Sequence, residues 1–178
     1  MRSSPTWTQV DEAWPALQKS GFLALEGIGV VLHYLRGCAA LAAAETAPTE
    51  PRAGAISKRA LLREADRAAR RLRRVSLPTG APLSLAIAAG VHAQRGQKEL
   101  RTRALESAIA GFDAVDMALH RESARLVLGL VSGPAVEVER ARAWMCEEAV
   151  QNPLALARAT VPGPFPGMAT QEPSPSLA

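Results

Sequence analysis

The sequence predicts an all-α protein built of six to seven helices that stack as antiparallel hairpins. Alanine supplies 35 of the 178 residues, and aromatic residues make up only 4% of the chain. Alanine is the best helix former and a poor strand former, so this composition favours closely packed helices and disfavours an all-β fold. Apolar residues also recur at steps of three and four, as on one face of a helix, between segments rich in turn residues.

The first helix is predicted to run from Pro15 to a polar loop at Pro48–Pro51, after an N-terminal segment of polar turns that reaches about Trp14. Three glycines interrupt its apolar pattern: Gly21, Gly27 and Gly29. Each costs about 1 kcal/mol relative to alanine in a helix interior. They indicate either a close approach of another backbone or a break in the helix near Gly27.

The later helices have recognisable start and stop signals. Ser57 can cap the second helix, Asp116 the fifth, and Asn152 a short final helix. Pro82 suits the first turn of the third helix, and Arg95-Gly96 is typical of a turn between the third and fourth helices.

The chain is predicted to form a single helical domain over residues 1–163, followed by a disordered tail over residues 164–178. Five of the thirteen prolines fall within residues 162–178, among serine, threonine, glutamine and glutamate. Such a composition offers too little apolar surface to offset the entropy lost on ordering.

The hairpin of the third and fourth helices has features of a tetratricopeptide unit. Gly90 provides a small residue for contact between helices, and Ala108 and Phe112 lie on the returning face. The tryptophan and tyrosine of the tetratricopeptide consensus are missing. A tetratricopeptide-like stack of helical hairpins is therefore predicted on spacing rather than on the consensus residues.

Charge is concentrated in one helix. The chain has a net charge of +4, whereas the segment Lys58–Arg74 alone carries +6. Two interpretations stay open for this basic helix: a solvated face, or a contact surface for an anionic partner such as a nucleic acid. No aromatic residue lies between its arginines, as nucleic-acid stacking would require.

The cysteines and the longest apolar segment both indicate a cytoplasmic protein. Cys38 and Cys146 lie far apart with no Cys-x-x-Cys pair, which predicts buried thiols in a reducing compartment. The apolar segment Gly21–Ala44 is long enough to cross a membrane, but charged or titratable residues interrupt it: Glu26, His33 and Arg36. A charge near the bilayer centre costs roughly 2.5–3.5 kcal/mol, so no membrane span is predicted.

A search for catalytic, cofactor-binding or metal-ligating residues predicts none. The three histidines lack metal-site spacing, and Gly27-Ile28-Gly29 lacks the third glycine of a dinucleotide loop. His120-Arg121-Glu122 is only superficially like a kinase catalytic loop, and no glycine-rich loop, Val-Ala-Ile-Lys or Asp-Phe-Gly motif is present. We therefore expect the chain to be no enzyme and not to bind ATP with magnesium.

Taken together, several segments resemble the C-terminal helical region of large bacterial serine/threonine protein kinases. The segments that carry this resemblance are Tyr34–Ala44, Leu61–Ala65, Ala110–Leu119, Ala143–Met145, Asn152-Pro153 and Pro162-Gly163. The chain departs from that pattern at Ser132-Gly133-Pro134, where the family has Gly-Gly. It also departs at Glu148-Ala149, where the family has Gln-Gly, and at Leu156 and Ala159, where the family has methionines.

The resemblance implies a tetratricopeptide-like regulatory segment without the kinase domain. The expected function is a non-catalytic helical module for protein interaction in kinase-type signalling, with an unidentified protein partner. The alternative function is a basic helical domain that binds nucleic acid through Lys58–Arg74.

Overall fold

The protein is all-α: a computed structural model describes residues 5–49, 56–133 and 135–167, which contain eight α-helices, one short 3-10 helix and no strand. The elements are α1 (Pro5–Lys19), the 3-10 helix (Phe22–Ala24), α2 (Glu26–Thr46), α3 (Lys58–Leu72), α4 (Gly80–Gln94), α5 (Lys98–Ala114), α6 (Ala118–Ser132), α7 (Ala135–Glu147) and α8 (Pro153–Thr160). The predicted all-α class is confirmed, and the predicted number of six to seven helices is too low.

The additional helix lies at the N-terminus, where polar turns and one long helix from Pro15 were predicted wrongly. Helix α1 passes through Pro15, and the chain turns at Gly21, whose φ of 78° suits glycine. A sequence signal for α1 does exist. Trp7, Val10 and Trp14 recur at helical spacing and give α1 a face that packs on α2.

Both expectations for the glycines of the first predicted helix are met: the predicted long helix breaks between Lys19 and Glu26, just before Gly27, and Gly29 lies at a close approach of another backbone segment. A Cβ atom at Gly29 would lie 2.8 Å from the carbonyl oxygen of Leu23. The 3-10 helix therefore folds back onto the first turns of α2, and this contact places α1 beside α2.

Each helix from α2 to α7 packs against the next one along the chain, while α2 also contacts α4 and α6 also contacts α8. Small side chains allow α2 to approach its neighbours closely. Ala40 and Ala44 are fully buried, and a Cβ atom at Gly37 would lie 2.5 Å from Cδ1 of Ile87 and 3.2 Å from Cβ of Ala68. Helices α2, α3 and α4 therefore meet around Gly37.

Two of the three predicted helix caps are confirmed. The Ser57 hydroxyl accepts a hydrogen bond from the backbone N–H of Ala60 at 3.3 Å and caps α3. The Asn152 side chain accepts one from Ala155 N–H at 2.9 Å and caps α8. Both bonds satisfy an amide that the first turn of a helix leaves unpaired.

The third prediction, that Asp116 caps the fifth predicted helix, is wrong. Asp116 has φ 56° and ends α5, and the next residue, Met117, donates its N–H to the Phe112 carbonyl at 2.9 Å. The same left-handed turn follows α4 at Gly96 and α7 at Ala149. Asp116 belongs to this helix-ending motif because a short polar side chain tolerates the left-handed conformation.

The segment after α8 packs on the helices. Val161 and Phe165 are buried, and a Cβ atom at Gly90 of α4 would lie 2.1 Å from the Pro162 carbonyl oxygen. The Tyr34 hydroxyl of α2 donates a hydrogen bond to the Thr160 carbonyl. The packed chain therefore includes residue 165, beyond the predicted domain end at 163. Most of the predicted disordered tail, residues 168–178, lies outside the described residues.

Within the described ranges, one helix, α2, has the length and the apolar composition that a membrane span would need. Half of its most apolar window is buried against other helices of the protein. The buried residues of α2 pack against α3 and α4.

The close contact at Gly90 predicts a position-specific loss of stability. Gly90→Ala would force the Pro162 backbone away, and overpacking of this kind costs about 1–3 kcal/mol in the free energy of unfolding. Gly27→Ala is the matched control: it is also a helical glycine, but no atom lies within 4 Å of its Cβ position. We expect that control to change stability by less than about 1 kcal/mol. Urea unfolding of both variants measures the difference, and equal losses would contradict the contact.

Candidate functional site

The side chain of Arg36 on α2 joins α1, α2 and α3. Its Nη2 atom lies 3.0 Å from Asp11 of α1 and 3.3 Å from Glu64 of α3. The guanidinium carbon lies 4.4 Å from the Trp14 ring centroid and 5.1 Å from the Trp7 ring centroid. Both distances are in the range of cation–π attraction. A planar guanidinium suits this position because it can stack on rings and bridge two carboxylates at once.

An open groove extends from Arg36 between α1, the 3-10 helix, α2 and α3. One part has a volume of about 560 Å³ and the adjoining part about 330 Å³. The two parts share four lining residues: Leu23, Ala24, His33 and Arg71. Four arginines and two glutamates line the combined arginine groove: Arg36, Arg67, Arg71, Arg74, Glu26 and Glu64. The arginine groove therefore carries an excess of positive charge.

Both glutamates of the arginine groove already have hydrogen-bond partners. Glu64 binds Arg36 and also pairs with Arg67 one turn along α3. Glu26 accepts hydrogen bonds from the hydroxyl and N–H of Ser76 and from the N–H of Leu77. These bonds lower the pKa of the Glu26 carboxyl, and the bond from the Ser76 hydroxyl has the largest effect. The two carboxylates thus hold the walls of the groove together.

The positive charge of the groove acts on His33, which is half-buried with its ring 5.4 Å from that of Trp14. Burial lowers the pKa of His33, and the charges of Arg71 and Arg36 lower it further. At neutral pH the imidazole is therefore neutral, and it offers one donor and one acceptor to whatever enters the groove.

An apolar ridge runs along the outer face of α2 and the segment just before it. It consists of five large side chains that are 43–55% exposed: Phe22, Leu25, Ile28, Val31 and Leu35. Ile28, Val31 and Leu35 lie three and four residues apart and so share one side of the helix. Phe22 and Leu25 flank Leu23 and Ala24, which line the groove. Contiguous exposed apolar surface of this kind marks interaction sites in soluble proteins.

The basic helix predicted at Lys58–Arg74 is α3, and its arginines lie opposite its buried stripe. Leu61, Ala65 and Leu72 are buried, whereas the exposed basic residues are Arg59, Arg63, Arg67, Arg70, Arg71, Arg73 and Arg74. Only Arg67, Arg71 and Arg74 of this set line the arginine groove. The sequence identifies the charged helix but not which of its arginines face a neighbouring element.

The kinase-like triplet on α6 has a packing role. His120 lies between Tyr34 and Phe112, with ring centroids 6.2 and 5.3 Å away, and burial lowers its pKa. Glu122 is buried and accepts hydrogen bonds from Arg121 at 2.8 Å and Arg125 at 2.7 Å.

The cysteines divide between the core and the surface. Cys38 packs against the core, and burial raises the pKa of its thiol to about 12. Cys146 is exposed, so the prediction of two buried thiols is wrong for this residue. Among the described residues, no three histidine, cysteine, aspartate or glutamate side chains lie together as a metal site would need.

The segments that resemble the kinase C-terminal region contribute to the fold. Tyr34–Ala44 supplies the buried face of α2, Met145 is buried in α7, and Asn152 caps α8. Comparison with protein families, with curated proteins and with solved structures found no match to this chain.

The arginine groove depends on contacts that are distant in sequence, which is why the sequence search did not find it. Arg36 lies 25 residues from Asp11 and 28 from Glu64. The available signal is the spacing of Trp7, Val10 and Trp14, which predicts a helix in the segment before Pro15 and so a second wall beside α2.

The bridging role of Arg36 predicts that Arg36→Lys loosens α1. A lysine ammonium cannot stack between two tryptophans while it bridges two carboxylates, so we expect a loss of about 1–2 kcal/mol. Hydrogen exchange should show faster exchange in α1 and unchanged protection in α4–α6. Arg70→Lys, at an exposed site outside the groove, is the control. Unchanged protection of α1 in Arg36→Lys would contradict the bridge.

Proposed function

We propose that this chain is a non-catalytic helical module that binds a protein partner on the apolar ridge of α2. The observation that carries the proposal is the ridge itself, where five large apolar side chains are about half exposed. Burial of such side chains in an interface contributes roughly 25 cal/mol per Å² of apolar surface removed from water. The apolar face of an amphipathic partner helix can pack along a row of i, i+3, i+7 spacing.

The proposal includes a tetratricopeptide-like stack of hairpins as the architecture of the module. Two observations support it: neighbouring helices along the chain pack together from α2 to α7, and left-handed turns at Gly96 and Asp116 join α4, α5 and α6 through short connections. Modules of stacked hairpins bind partners along extended surfaces between helices.

The proposed setting is cytoplasmic signalling by serine/threonine kinases. The support for this setting is the resemblance over Tyr34–Ala44, Ala110–Leu119 and Ala143–Met145. The chain itself would regulate or recruit a kinase-type protein rather than transfer phosphate, since it has no glycine-rich nucleotide loop and no metal-binding Asp-Phe-Gly.

A photo-crosslinking amino acid placed at Val31 should capture the partner in the cells that express the chain. Val136 of α7 is the matched control, because it is an equally exposed valine outside the apolar ridge. We expect a discrete protein adduct from position 31 and none from position 136. The adduct should be lost when Ile28→Ser and Leu35→Ser are added, and mass spectrometry of the adduct tests the kinase link.

Three results would contradict the proposal. Equal adducts from positions 31 and 136 would mean non-specific capture, and an adduct with the chain's own copy would mean self-association. The absence of any protein adduct at position 31 would mean that the ridge is not a docking surface.

The second candidate function is nucleic-acid binding by α3. The observation that favours it is the set of exposed arginines on this helix. Two features weigh against it: Glu64 pairs with Arg67 of this helix, and no aromatic side chain lies on α3 for base stacking.

We expect no binding to generic duplex DNA at a salt concentration of about 0.15 M. If α3 did contact six phosphates, the logarithm of the affinity would fall against the logarithm of salt concentration with a slope of roughly −5. Replacement of Arg67, Arg70, Arg71 and Arg74 by glutamine would then flatten that slope. A steep slope abolished by these substitutions, measured by fluorescence anisotropy, would replace protein interaction by nucleic-acid binding as the function.

A further inference from the structure

The arginine groove contains positive charge that the described part of the protein does not neutralise. Glu64 is shared by Arg36 and Arg67, and Glu26 is held by the 76–77 backbone. Arg71 and Arg74 make no ion pair with any described residue, although both line the groove. The two unpaired guanidiniums lie three residues apart on α3, next to each other on its surface.

A buried donor in the same groove also lacks an acceptor. The Nη1 atom of Arg36 is buried and has no hydrogen-bond partner among the described residues. A buried donor without a partner costs free energy, and a charged donor costs most. A carboxylate that enters the groove would accept from the exposed guanidiniums of Arg71 and Arg74, and the buried Arg36 adds to the positive charge beneath them.

The residues around the groove select for an acidic peptide. Leu23 and Ala24 line the groove, and their chain neighbours Phe22 and Leu25 belong to the apolar ridge, so an extended segment that leaves the groove at this end would meet these two side chains. A nucleic acid fits this arrangement less well, because unpaired bases need a free aromatic face on which to stack, and Trp14 is the aromatic side chain that lines the groove. The Trp14 ring is already in contact with Arg36 and His33.

We infer that the arginine groove binds carboxylate side chains of an acidic peptide segment in the protein partner, while apolar residues of that segment pack on the ridge. This inference rests on the proposed function and adds the chemistry of the partner. Arg71 and Arg74 supply the charge-assisted hydrogen bonds, and Trp14 and Leu23 supply the apolar wall of the groove.

His33 reports on occupancy of the groove. Its pKa is lowered by burial and by the charges of Arg71 and Arg36, with Glu26 and Glu64 as the acidic groups that line the same groove. A carboxylate bound between His33 and Arg71 favours the protonated imidazole and so raises the His33 pKa. His92 and His120 line neither part of the groove and serve as internal references.

The test uses short poly-L-glutamate as the probe and two charge-matched double variants. Arg71→Gln with Arg74→Gln removes two of the four groove arginines, whereas Arg70→Gln with Arg73→Gln removes two exposed arginines of the same helix that do not line the groove. We expect the first pair to weaken binding by roughly five- to tenfold and the second by less than about twofold. Exposed charges add little stability, so both variants should stay folded.

Nuclear magnetic resonance titration of the histidines should show a raised His33 pKa when wild type binds poly-L-glutamate, and no such change in the groove variant. Equal weakening by both variant pairs, or an unmoved His33, would overturn the inference. Duplex DNA that displaces poly-L-glutamate from the wild type but not from the groove variant would identify a phosphate site and would also overturn it.

The adduct at Val31 distinguishes the inference about the arginine groove from the proposed function of the apolar ridge. A module that binds its partner only by the apolar ridge would still give the adduct at Val31 when Arg71→Gln and Arg74→Gln are present. The inference requires that this adduct decreases in the groove variant and persists in the Arg70→Gln, Arg73→Gln control.

Discussion

The close approach of α2 to α3 and α4 at Gly37 determines much of this structure. A Cβ atom at this position would displace the end of the Ile87 side chain and crowd Ala68, so glycine lets the three helices meet without that rearrangement. This contact fixes the distance between α2 and α3 and hence brings Arg36 within reach of Glu64. On the other side of α2, Ile28, Val31 and Leu35 are about half exposed, whereas most buried residues of α2 are glycine or alanine.

Local signals in the sequence predict most of the fold. Ser57 and Asn152 are confirmed as caps because a cap depends on a hydrogen bond between residues only three positions apart in the sequence. Asp116 was misassigned since aspartate serves both as a cap and in left-handed turns, and the choice depends on whether the helix before it has ended. Helix α1 was missed because Pro15 suggests a helix start, whereas a proline within a helix is tolerated when tertiary contacts outweigh its cost.

The candidate site is less predictable than the fold. The arginines of α3 are evident in the sequence, but Arg36 and His33 are single residues within an apolar segment. Their role depends on the turn at Gly21, which brings Trp14 over them. A contact across 25 residues, as between Asp11 and Arg36, leaves no periodic pattern. Sequence patterns therefore predict which helix is charged, and only tertiary packing determines which charges form a groove.

The apolar ridge and the arginine groove would contribute differently to recognition. Apolar surface supplies most of the free energy of association, because its burial is not offset by lost hydration of charged groups. Charges contribute mainly to the rate of encounter and to the choice of partner. Arg36 differs from the arginines of α3 in that its side chain is only 12% exposed and is held between Asp11, Glu64 and two tryptophans. It is therefore already desolvated and fixed before any ligand arrives. The exposed Arg71 and Arg74 would instead meet the carboxylate of a ligand, and these two side chains would lose rotamer entropy on binding it, whereas the fixed Arg36 would contribute its charge without that loss.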